Sequence, residues 1–180
     1  MHERIEGERL WRDAVLAGDA SAWKCGYEAA FTTLAGYVRW RCAGLNDLYE
    51  DVLQETWLTA VRSIRKFDPG AGSFLDWLRG IAANLIRNQL RKKRRRGPHE
   101  SLDGDGVPTA NGHAELERSE KIALALSGLS DRHEKVLRAK YVESRSVREI
   151  AQEWQESEKA VESLLTRARE AFRAAYGPDE

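Results

Sequence analysis

Strand signals are nearly absent from this 180-residue chain: no stretch sustains an alternation of apolar and polar residues, and turn signals lie far apart. That argues against any sheet-based fold and leaves all-α as the expected class. No apolar run approaches the roughly 18 residues a membrane span needs, so no membrane insertion is expected. The N-terminal MHERIEGERLWRD is charged and lacks the apolar core of a signal peptide, which predicts a cytoplasmic chain. Cysteine is scarce. Cys25 and Cys42 stand without CxxC spacing or a histidine cluster, so reduced thiols and no metal site are expected. His2, His99, His113 and His133 lie in a terminus, an irregular segment or a helix start, without a partnered nucleophile. Residues 68–72 lack the lysine and spacing of a phosphate-binding loop. No catalytic set emerges and no cofactor is implied, so an enzyme is not expected.

What is present belongs to a folded globular protein: 42% hydrophobic and 32% charged residues. The net charge of zero hides a segregation along the chain. Residues 84–96 carry seven Arg or Lys and no acid, ending in six consecutive basic residues. Residues 97–120 then carry six acids against one Arg. Local fields of this kind matter more than their sum.

Apolar residues at three- and four-residue steps predict a first helix over about 7–17 (Leu10, Trp11, Val15, Leu16) and a second over about 20–43. A third, over about 47–66, carries Leu48, Val52, Leu53, Trp57, Val61 and Ile64. Asp-Pro-Gly-Ala-Gly at 68–72 breaks the pattern, and Ser73 is placed to cap a fourth helix with Asp76 as the acid of a capping box. Phe74, Trp77, Leu78, Ile81, Ala82, Leu85 and Ile86 form its apolar stripe. GPHESLDGDGVPTANG, at 97–112, reads as a flexible acidic linker between domains at 1–96 and 113–180. Beyond it one helix carries Leu116, Ile122, Leu124 and Leu126, and Ser130 caps the next, with Val136, Leu137 and Tyr141. Ser146 and Glu149 match a capping box for a short helix, and after a turn at 155–156 Ser157 caps a last helix with Val161, Leu164, Leu165, Ala168 and Phe172 inward.

The short helix, tight turn and longer helix fit a helix-turn-helix, whose second helix enters the major groove. They fit equally an ordinary helical hairpin with a solvated charged face. Aromatic and amide side chains beside the basic tract suit single-stranded DNA, whose bases stack or are extruded while the backbone is neutralised. Phe74 and Trp77 also suit a plain core, and the tract also suits a nonspecific anion patch. Asp51, Gln54 and Glu55 share one helix face, as a surface acidic stripe also would.

DLYEDVLQETWLTAVRSIRKFDPGAGSFLDWLRGIAANLIRNQLRKKRRR resembles region 2 of bacterial extracytoplasmic-function sigma factors, and LSGLSDRHEKVLRAKYVESRSVREIAQEWQESEKAVESLLTRARE resembles their region 4. VLAGDASAW resembles the start of the first region 2 helices. The two stretches stand in the family's order and at its separation. The resemblance implies a transcription initiation factor that joins core RNA polymerase and selects promoter DNA. Asp51, Gln54 and Glu55 match the motif that docks region 2 on the polymerase clamp helices. Trp77, Arg79, Asn84, Asn88 and Arg91, with Lys92 beside it, match positions of promoter melting and −10 recognition. Ser163 and Arg167 match the −35-reading helix, with Lys159, Thr166 and Arg169 as neighbours on it. The acidic linker matches the family's substitute for region 3, which threads through polymerase.

Two departures stand out. The family often has basic residues where this chain has Glu162 and Leu164, and histidine where it has Thr166, which implies weaker phosphate attraction and an unusual −35 preference. Leu164 also fits the inward stripe. Few residues follow the last helix, so regulation is expected from a separate anti-sigma protein or other regulator. The rivals are a conventional DNA-binding regulator that uses only the C-terminal domain, and a helical interaction or RNA-binding protein.

Overall fold

The computed structural model describes residues 2–96 and 110–177, and these are all-α. Eight helices occur among them: α1 (His2–Leu16), α2 (Ala20–Arg41), α3 (Asn46–Ser63), α4 (Phe74–Arg96), α5 (Ala110–Ser127), α6 (Asp131–Tyr141), α7 (Val147–Trp154) and α8 (Glu158–Tyr176). The chain divides between α4 and α5 into two compact units.

In the first unit α4 lies against α2 and α3, and α1 against α2. Phe74, Leu78, Ala82, Ile86 and Leu90 recur every fourth residue and are buried along α4 as far as Leu90. On the helices that α4 packs against, Leu34 and Val38 of α2 and Val52 and Ala60 of α3 are essentially inaccessible as well. Each large aliphatic side chain so buried stabilises the fold by about 1.5–3 kcal/mol relative to exposure. The cap at Ser73 forms: its hydroxyl accepts from the Asp76 N–H at 3.1 Å and donates to the Asp76 carboxylate at 2.7 Å. Asp19 does the same service for α2, accepting from the N–H groups of Ser21 and Ala22.

An aromatic cluster pins α1 to the start of α4. Trp11 stands 4.4 Å from Phe74 between ring centroids, and Phe67 and Trp77 close the group. The Trp11 indole donates to the Ala22 carbonyl at 2.7 Å, and Glu8 accepts from the Phe74 N–H at 3.0 Å. Gly26 permits this approach, since a Cβ there would fall 2.4 Å from the Trp11 ring. α1 begins at His2 rather than near residue 7, extended by an Arg4–Glu8 ion pair one turn apart. Leu10, grouped with its apolar residues by spacing, is 65% exposed. α3 ends at Ser63, and residues 64–66 continue as a tighter 3₁₀ turn.

In the second unit α8 is the central helix, touched by α5, α6 and α7. Val136, Leu137, Ile150, Val161, Leu164 and Leu165 make its core. All three predicted caps form. Ser130 accepts from the His133 N–H, and Ser157 from the Ala160 N–H. Ser146 and Glu149 exchange both bonds of a capping box, at 3.2 and 2.8 Å. The α7–α8 turn passes through Gln155 in the left-handed region (φ 55°). A buried ion pair joins Glu134 to Arg138 at 3.2 Å, and Arg138 reaches on to Glu143 at 3.1 Å, tying α6 to the turn after it. α5 begins at Ala110, inside the span expected to be linker, while 97–109 lie outside the described residues. Leu116 and Leu124, expected as apolar positions of that helix, are exposed, because α5 uses Ala123, Ala125 and Leu126 for its contacts.

Candidate nucleic-acid interface and docking surface

Three surfaces gather the predicted site residues. The first is the outer face of α3. Asp51 and Gln54 are exposed, and Glu55 is half-buried, paired with Arg62 at 3.6 Å and accepting from the Thr59 hydroxyl at 3.5 Å. Gln54 also borders a groove of about 450 Å³ between α2 and α3, lined by Trp23, Tyr27, Phe31, Leu53 and Trp57. Leu58 and Val61 add apolar area at its edge, 41% and 54% exposed. Spacing alone put these residues on helices without separating this second apolar face of α3 from the buried line Val52, Thr56 and Ala60. The signal was available: α3 has more apolar residues than one helical face holds.

The second surface is the outer face of α4. Asn84, Asn88, Arg91 and Lys92 are all exposed, on the side opposite the buried line, so the helix brings them together. The Asn84 side-chain oxygen accepts from Arg87 at 2.7 Å, which adds an unpredicted cation to the group. Trp77 lies two turns before Asn84 on the same side, half-buried against Phe67 and Phe74 at 5.5 and 5.9 Å. Arg79 is set apart. It faces α2, over the Tyr37 ring at 5.8 Å, and pairs with Asp76 at 3.3 Å.

The third surface is the outer face of α8. Lys159, Ser163, Thr166 and Arg167 are exposed along it, while Leu164 is buried, on the inward stripe. Thr166 donates its hydroxyl proton to the Glu162 carbonyl at 3.0 Å, and the Arg167 Nε–H points to the Ser163 carbonyl at 3.4 Å. Both side chains thus bond back to carbonyls of their own helix, one turn earlier. Arg169 is half-buried on the flank toward α6, where its Nε–H donates to the Tyr141 hydroxyl at 2.8 Å. That partner, far away in sequence, was not anticipated.

Burial pushes the Cys42 thiol up to about 12, making it a poor nucleophile. The Ser146 hydroxyl holds the Glu149 carboxyl below its ordinary value of 4.5, with the Ser146 N–H adding to the effect. Among the described residues no cluster of ligands suited to a metal ion occurs.

Two family matches divide along the chain as these two units do, and together they give the class of sigma-70 factors. Residues 27–96 match the family described as sigma-70 region 2, and residues 119–172 match sigma-70 region 4. The chain belongs to the extracytoplasmic-function sigma factors. It is 30% identical to the RNA polymerase sigma factor HrpL of Pseudomonas syringae pv. syringae over 81% of this chain and 82% of the relative. It is 30% identical to the sigma factor SigW of Bacillus subtilis over 69% and 73% of the two chains. Similarity to the sigma factor BldN of Streptomyces coelicolor, at 29% identity, covers 84% of this chain but spans only 59% of the relative's length.

Proposed function

We propose that this chain binds core RNA polymerase and directs it to specific promoters, with RNA synthesis itself left to the polymerase. Asp51, Gln54 and Glu55, with the adjoining groove, form the docking face. Trp77, Asn84, Asn88, Arg91 and Lys92 engage the −10 element as it opens, Asn84 and Asn88 by hydrogen bonds to extruded bases and the cations by phosphate contacts. Arg79 supports that helix from behind, through Tyr37 and Asp76. Lys159, Ser163, Thr166, Arg167 and Arg169 meet the −35 duplex. No described helix is long and apolar enough to cross a membrane.

The observation that carries the reading is the co-occurrence, in one chain and in this order, of the region 2 and region 4 matches with polar helix faces turned outward in both units. Mixing with core polymerase tests it. Co-elution with core, followed by transcripts of defined start from a pool of promoter fragments, is the expected result. Folded protein that neither co-elutes nor yields defined starts contradicts it, and tight promoter binding without polymerase favours a conventional regulator.

A further inference from the structure

The Arg169–Tyr141 contact differs in kind from the Arg132 and Arg138 pairs of its unit. Arg132 and Arg138 rest on carboxylates, those of Glu156 and of Glu134 and Glu143. Arg169 rests instead on a neutral hydroxyl, its Nε–H donating to the Tyr141 oxygen at 2.8 Å and its guanidinium carbon 5.8 Å from the ring centroid. A carboxylate makes the stronger clasp, because both partners are then charged. The hydroxyl carries no charge to offset that of Arg169, and the bond uses one of the guanidinium's five N–H donors. It also keeps its own proton, since an oxygen that accepts from Arg169 still has an O–H to donate. Tyr141 is 58% exposed at the last position of α6, an unusual place for so large a ring to serve packing.

Position gives the pair a ligand. Arg169 lies about 16 Å along the α8 axis from Glu158, at about 1.5 Å per residue. The major groove is about 12 Å wide. A helix whose first turns meet base edges therefore carries Arg169 past the groove, to where the sugar–phosphate backbone of the flanking strand runs. Arg169 also shares a line of α8 with Thr166 and the exposed Arg173, so the base-facing surface continues into it. A phosphodiester offers two non-bridging oxygens that only accept, the complement of one Nη group and one hydroxyl.

We infer that Tyr141 and Arg169 form a phosphate-binding pair at the edge of the −35 duplex. Tyr141 holds the guanidinium in place and donates its own hydroxyl proton to a DNA phosphodiester. This rests on the assignment of α8 to the −35 element.

The test uses holoenzyme reconstituted from the full chain and core polymerase, binding promoter duplex over a range of salt. Tyr141→Phe is expected to weaken binding about three- to tenfold, the range of one hydrogen bond, and to leave the salt slope unchanged because no charge is lost. Arg169→Gln is expected to lower the slope by about 0.9. The double variant should bind within about twofold of Arg169→Gln, because both residues serve one phosphate. A scan of single methylphosphonates along the flanking strand should find one position that removes the difference between wild type and Tyr141→Phe. Wild-type binding by Tyr141→Phe, with Ser163→Ala still impaired, overturns the pair and leaves the α8 assignment standing. Should Tyr141→Phe lower the thermal midpoint, the scan on the wild-type protein decides, and no sensitive phosphate on the flanking strand overturns the pair. If neither Ser163→Ala nor Arg169→Gln alters binding, α8 does not face the promoter and both inferences fall.

Discussion

The outer faces of α4 and α8 are built on opposite electrostatic plans. From Asn84 onward the α4 sequence carries amides and cations with no acid among them. The outer arc of α8 sets Lys159, Arg167 and Arg173 among Glu158, Glu162 and Glu170. A face of the first kind draws affinity from phosphates and loses it steeply with salt. A face of the second kind gains little from net attraction and must rely on hydrogen bonds made in register. On the proposed function, region 2 supplies the grip on the opening strand, while region 4 reads a duplex that polymerase has already brought near. The self-repulsion of residues 91–96 is then a cost in the free protein that nucleic acid offsets on binding.

Replacing Asp51, Gln54 and Glu55 together with alanine should weaken core association by about thirtyfold or more, the scale of a lost interface hot spot. Both DNA faces would fail together, and circular dichroism should show unchanged helix content. Next, Arg91→Gln and Lys92→Gln should each lower the salt slope for single-stranded −10 DNA by about 0.7. Their effect on duplex −35 DNA should be negligible, so a filter-binding series on the two DNAs separates the faces.

Smaller effects sharpen the account of the second unit. Ser146→Ala removes the cap of α7 and should cost about 1 kcal/mol in urea unfolding of that unit. The same change should alter its acid limb. Because Ser146 holds the Glu149 carboxyl below 4.5, that group's contribution is present above its unfolded value and is lost as pH falls through the folded one. Unfolding midpoints measured from pH 6 down to about 2 should therefore decline less in Ser146→Ala than in wild type.

Much of this architecture was legible in the sequence, because the determining interactions are local. Ser73, Ser130, Ser146 and Ser157 each cap a helix beside its own first turn, and Phe74, Leu78, Ala82 and Ile86 of the expected α4 stripe are buried, while Trp77, Ile81 and Leu85 of that stripe are only partly so. What escaped depends on distant partners. Arg79 sits in a basic helix like its neighbours, yet a Tyr37 ring on another helix turns it inward. Trp57 and Val61 follow a helical period, which says nothing of whether α2 covers them or leaves a groove. Leu116 and Leu124 read as apolar positions like Leu126, but α5 buries only Leu126 of the three, with Ala123 and Ala125 beside it. Tyr141 and Arg169 meet across two helices with no shared pattern.

The claim that α4 opens promoter DNA through its asparagine line is tested most directly by permanganate reactivity of thymines in the −10 region, with holoenzyme bound. Wild-type protein should render those thymines reactive. Asn84→Ala with Asn88→Ala should abolish the reactivity while binding core as tightly as wild type, since the buried side of α4 is untouched. Full reactivity in that double variant would contradict the account.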